Sequence, residues 1–78
     1  MIFSKQLRSQ DHVREFVVGE ADERGWEVRE EEDHCVVKRT WVHDWHRVEN
    51  AMMKFALEAV QLQRAGWIEV PAAYPNTV

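Results

Sequence analysis

The sequence predicts an α+β domain of order α-β-β-α, an antiparallel hairpin with two helices packed on one of its faces and, as an option, short extra strands at the ends. Three observations lead there. The stretch from Asp44 to Ala65 repeats apolar residues at steps of three and four, which is one face of an α-helix. WEVREEE and CVVKRTWV, on either side of Asp33 and His34, have the alternation and β-branched content of paired strands. Upstream, Val13, Phe16, Val17, Glu20 and Ala21 follow helical spacing again.

The downstream helix is the best specified element. Trp45, Val48, Met52, Phe55, Ala59 and Leu62 form its apolar stripe, while Arg47, Glu49, Asn50, Lys54, Glu58, Gln61 and Arg64 form the polar side. Asp44 is placed to accept a bond from a first-turn amide, and Gly66 tolerates the left-handed stop that ends many helices. Met53 lies beside Met52 and widens the apolar face toward a partner.

The upstream helix is read from Asp11, as N-cap, to Gly25, as terminator, with Gly19 in its interior costing about 1 kcal/mol relative to alanine. Trp26 and Val28 then point to one side of a strand, with Glu27, Arg29 and Glu31 on the other. The acidic run Glu30 to Asp33 is expected to break that strand, and a tight turn at Asp33 and His34 leads into Cys35–Val42. The burial phase of this second strand is ambiguous. Val37 and Trp41 share a side with Cys35 and Arg39, whereas Val36 and Val42 share the other with Lys38 and Thr40.

The ends carry weaker patterns. Residues 1–9 suit either a short edge strand or a flexible lead-in, and Ile68 and Val70 either a short strand or an extended tail interrupted by Pro71 and Pro75, with 71–78 as a flexible end. All 78 residues fit a single small domain, and so small a core favours a homo-oligomer or a protein partner.

Composition narrows the function classes. Apolar residues make up 45% and charged residues 31%, the balance of a folded soluble chain. A formal charge of −4 repels phosphate backbones and anionic lipid, so neither nucleic acid nor membrane is an expected partner. A lone cysteine, Cys35, and the absence of a secretory pattern at the start point to a reduced, cytoplasmic setting.

Residues able to do chemistry are few. Asp33, His34, Cys35, His43, Asp44 and His46 offer carboxylate, imidazole and thiolate donors, yet His34 and Cys35 point to opposite sides of a strand, and His43 and His46 straddle a helix start. His34, Cys35, His43 and His46 are therefore weak metal candidates, and the site reading is no metal and no cofactor. Cys35 as a nucleophile lacks an oxyanion-hole motif, and the acidic run lacks the spaced oxygens and turn glycine of a calcium loop. Trp26, Trp41, Trp45 and Trp67 suit a core or an interface; Trp41, Trp45, Met52, Met53 and Phe55 are the interface candidates.

Taken together, GWEV, the acidic turn, CVVKRTWVHDW and HRVENAMMKFALEAVQL resemble the pterin-4a-carbinolamine dehydratase family over roughly residues 13–67. Asp44 and Trp45 stand where that family carries an Asp-Phe pair, and Met52, Met53, Phe55, Ala56 and Ala59 follow its long-helix pattern. The resemblance implies a helix-hairpin-helix fragment that self-associates through sheet edges and the long helix. The family's His-His-Pro motif follows that helix; here Gln63, Arg64, Ala65, Gly66 and Trp67 occupy the place, so no catalytic residue is carried over. The expected function is a non-catalytic, cytoplasmic self-association module resembling a truncated member of that family. The alternatives are a degenerate 4a-hydroxytetrahydropterin dehydratase, with His43 or His46 as the replacement acid/base, and a metal-binding protein.

Overall fold

The computed structural model describes residues 1–71 and contains five strands and one long helix. They are β1 (Phe3–Ser9), β2 (His12–Glu20), β3 (Trp26–Glu32), β4 (Cys35–Val42), α1 (Trp45–Arg64) and β5 (Ile68–Val70). The strands form one antiparallel sheet in the order β4-β3-β2-β1-β5. α1 leaves one edge strand, packs on one face of the sheet and delivers the chain to the opposite edge.

The α-β-β-α order is overturned by the segment before Gly25, which is a strand and not a helix. Val13, Phe16 and Val17 match helical spacing, but they also match a strand buried on both faces. Phe16 and Val18, 0% exposed, point to the helix side, while Val13 and Val17 point away and are also buried. The consecutive pair Val17 and Val18 favours this second solution, because branched β-carbons fit a pleated strand better than a helix. Asp11 caps no helix; with Gln10, at φ 54°, it makes the two-residue loop between Ser9 and His12. The helix that the family resemblance implied here is thus absent, and among the described residues a single helix covers the sheet.

Gly25 likewise ends no helix but closes the β2–β3 loop at φ 95°, where an added β-carbon would collide with the Val42 carbonyl oxygen. Phe3–Ser9 becomes an inner strand, paired with β2 over its whole length and with β5 through Gln6, Leu7 and Arg8. Ile68–Val70 forms the short strand β5, and Pro75 lies outside the described residues.

The hairpin of β3 and β4 forms as its sequence suggests, with Asp33 and His34 at φ 52° and 69° in the turn. The acidic run does not break β3, which continues to Glu32. Glu30 on the helix side meets Arg14, and Glu31 on the far side meets Arg29, so each carboxylate has a cationic neighbour. The ambiguous phase of β4 is resolved by an irregularity: Glu30 pairs with Lys38 but Glu31 pairs with Val36, leaving Val37 as an extra, bulged residue.

α1 begins and ends as its sequence dictates. The Asp44 carboxylate accepts the His46 amide at 3.1 Å. At the other end the Trp67 amide donates to the Leu62 carbonyl at 2.9 Å, the Gly66 amide donates to the Gln63 carbonyl at 3.0 Å, and Gly66 has φ 105°; this is a Schellman stop. Val48, Phe55 and Ala59 are buried against Leu7, Phe16 and Val18, with the Phe16 and Phe55 rings 4.9 Å apart. Complete burial of each large side chain stabilises by roughly 1.5–3 kcal/mol, which makes this contact the centre of the fold.

Candidate association surface

The side of α1 turned away from the sheet is apolar where water is expected. Met53, Leu57 and Val60 are 61%, 60% and 42% exposed. Their spacing of four and three residues puts them in one row along the helix. Glu49 stands one turn before Met53 and Arg64 one turn after Val60, both exposed, so the row is bracketed by opposite charges. Half-buried Ala56 gives it a narrow waist beside Leu57.

The remaining surface is less suited to pairing. On the sheet face opposite α1, β3 and β4 carry a ladder of ions: Arg29 binds Glu27 at 2.9 Å and Glu31 at 2.8 Å, and Arg39 binds Glu27 at 2.7 Å. The exposed apolar residues Val36 on β4 and Ile68 on β5 stand at opposite edges of the sheet and do not form a row. Both sheet edges are blunted. β4 carries the bulge at Val37 followed by Lys38 and Arg39, and β5 has three residues before Pro71.

The five interface candidates from the sequence separate into different environments. Phe55 is 5% exposed and Met52 packs against the core cluster, so both belong to the interior. Trp41 is half-buried on the ion-ladder face, with the Arg24 guanidinium 4.6 Å above its ring. Trp45 is 48% exposed and packs edge-on against Trp26 at 5.6 Å, closing the end of the sheet beside the start of α1. Met53 alone lies in the outward row. Leu57 and Val60 escaped the sequence reading, although their spacing from Met53 was visible in it.

A second concave feature opens between α1 and the β3–β4 half of the sheet, with a volume of about 280 Å³. Its floor is Val28, Val42, Ala51 and Phe55. Lys38, Arg47 and Lys54 stand around its mouth, and Thr40 and Asn50 add hydrogen-bonding groups. Its one carboxylate, Glu30, accepts from Arg14 at 3.3 Å.

The weak metal candidates are not brought together. His34 and Cys35 lie at the start of β4 and His43 and His46 beyond its end, separated by a strand roughly 25 Å long. Among the described residues, no three His, Cys, Asp or Glu side chains converge as a metal would require. No helix among them is long and apolar enough to cross a membrane.

Among the described residues, two carboxylates have shifted acidity. The Val13 amide, donating at 3.0 Å, and then the His12 imidazole at 3.2 Å hold the Asp33 carboxyl below its ordinary range. Asp22 is lowered by its bonds from Arg24. Both sit in turns and serve local structure.

Comparison of the chain with protein-family profiles, characterised proteins and solved structures gives no match.

Proposed function

We propose that this protein is a self-association module whose α1 helices pair antiparallel across a twofold axis. The observation that carries this reading is the bracketed row of Met53, Leu57 and Val60. An axis passing between Ala56 and Leu57 sets Met53 opposite the partner's Val60 and Glu49 opposite the partner's Arg64. The row is therefore complementary to itself in charge and sets apolar residues opposite apolar ones, as a twofold interface requires. Such a row on a soluble monomer would expose a contiguous apolar strip along a helix, which is uncommon without a partner.

The ion ladder on β3–β4 and the blunted edges favour the helix over strand pairing as the route to association. Three large apolar side chains per subunit make a small interface, so the affinity is modest, in the micromolar range or weaker.

A charge-swap cycle tests the antiparallel arrangement. Glu49→Arg alone places arginines opposite each other and weakens association about 2- to 10-fold, counting two symmetry-related contacts of an exposed pair. Adding Arg64→Glu restores it. If the double variant is as weak as the product of the two single variants, the antiparallel pairing is wrong.

A further inference from the structure

The groove between α1 and the β3–β4 hairpin has a chemical character of its own, unlike that of the acidic chain around it. Lys38 on β4 and Arg47 and Lys54 on α1 stand at its mouth, and none has a carboxylate partner among the described residues. The lining's only acid, Glu30, is already occupied by Arg14. Three cations and one carboxylate, Glu30, which is the cross-strand neighbour of Lys38, thus line one concavity, leaving it net positive in a protein of net charge −4.

The floor below them is apolar. α1 packs most tightly over β1 and β2, where Phe55 meets Phe16 and Phe3, and leaves the helix-facing side of β3–β4 partly uncovered. Val28 and Val42 are only partly buried as a result. An apolar floor with few polar groups at the rim is the usual make-up of a small-molecule site, and about 280 Å³ lies at the small end of that range.

We infer that this groove binds a small organic anion with a flat apolar body, such as an aromatic carboxylate. The body lies on Val28, Val42 and Phe55, and the carboxylate meets Arg47 and Lys54, which stand two helical turns apart with Asn50 between them. Lys38 approaches the same charge from the strand side. The cations are exposed and screened by salt, and a ligand of about a dozen heavy atoms gives a dissociation constant on the order of 0.1–1 mM. The outward row of α1 lies on a different flank of the helix, so this inference is independent of self-association.

The test is a titration of the full chain with 2-naphthoate, followed by amide proton–nitrogen correlation spectra. The expected result is saturable shifts centred on Val28, Thr40, Asn50 and Ala51. Uncharged 2-naphthalenemethanol should bind at least about fivefold more weakly, and so should the Arg47→Gln/Lys54→Gln variant, whose changes are at exposed positions; added salt should weaken naphthoate further. Inorganic phosphate, which lacks the apolar body, should produce no saturation below about 5 mM. The inference is overturned if the carbinol binds as tightly as the carboxylate, if phosphate matches naphthoate, if the variant with its fold intact binds unchanged, or if naphthoate does not saturate or shifts the Met53–Val60 row instead.

Discussion

Arg14 Nη2 lies 3.4 Å from the Glu58 carboxylate, the one ion pair among the described residues that joins the sheet to the helix. The same guanidinium reaches Glu30 at 3.3 Å and stands 5.3 Å from the centre of the Phe16 ring, so one side chain ties together β2, β3 and α1. Its Nε is buried without a hydrogen-bond partner, with Glu32 at 3.8 Å, so the link is imperfect as well as central. Arg14→Ala leaves Glu30 largely buried without a cation and should cost about 1–3 kcal/mol in urea denaturation, whereas Glu58→Gln, at the more exposed end, should cost under about 1 kcal/mol. Equal effects of the two substitutions would show that the pair does not act through Glu30.

Gly25→Ala should destabilise by more than about 1 kcal/mol, because alanine pays both for φ 95° and for the collision with the Val42 carbonyl. Gly66→Ala has the strained φ of 105° without the collision, since nothing lies within 4 Å of the added carbon. Thermal melts of the two should therefore rank Gly25→Ala as the less stable.

The Asp33 carboxylate gives the fold a defined acid limb. Its pKa in the folded state lies below the ordinary 3.8, so the anion stabilises the fold fully above that value, and the benefit disappears as pH falls through the lower, folded value. Asp33→Asn keeps a residue that accepts φ 52° but removes the charge. The stability gap between wild type and Asp33→Asn should be present at pH values above about 4 and close as pH drops below that. A gap that persists unchanged to the lowest pH would remove this assignment.

Core and surface on α1 should respond to truncation by very different amounts. Phe55→Ala should cost about 3–5 kcal/mol as a cavity opens beside Phe16. Leu57→Ala, at 60% exposure, should change the stability of the monomer by less than about 0.5 kcal/mol. Denaturation at low protein concentration checks both, since any contribution from association is then absent.

What the sequence disclosed follows from how local each signal was. α1 was legible to its caps because Asp44, the apolar stripe and Gly66 act within one turn of where they stand. The β3–β4 hairpin was legible for the same reason, since its turn residues lie beside the strands they join. β2 was misread because Val13, Phe16 and Val17 satisfy two periodicities, and only Leu7 on β1 and Phe55 on α1, distant in sequence, decide between them. The same gap hid the inner place of β1, which the sequence offers as an edge strand or a lead-in and which in the sheet has two strand partners. Met53 stands out in the sequence beside Met52, but Leu57 and Val60 fall outside both the apolar stripe and the polar side that the spacing defines. The groove was invisible because it depends on where α1 crosses the sheet, a tertiary fact that no residue spacing encodes.

Sedimentation equilibrium of the wild-type chain beside Leu57→Glu most directly tests the pairing of α1 helices. Wild type should show a concentration-dependent species of twice the 9.3 kDa chain mass within the micromolar to sub-millimolar range, and Leu57→Glu, folded but with a charge at the waist of the row, should stay monomeric. A wild-type chain that remains monomeric up to about 1 mM, or a Leu57→Glu chain that dimerises as well as wild type, would contradict it.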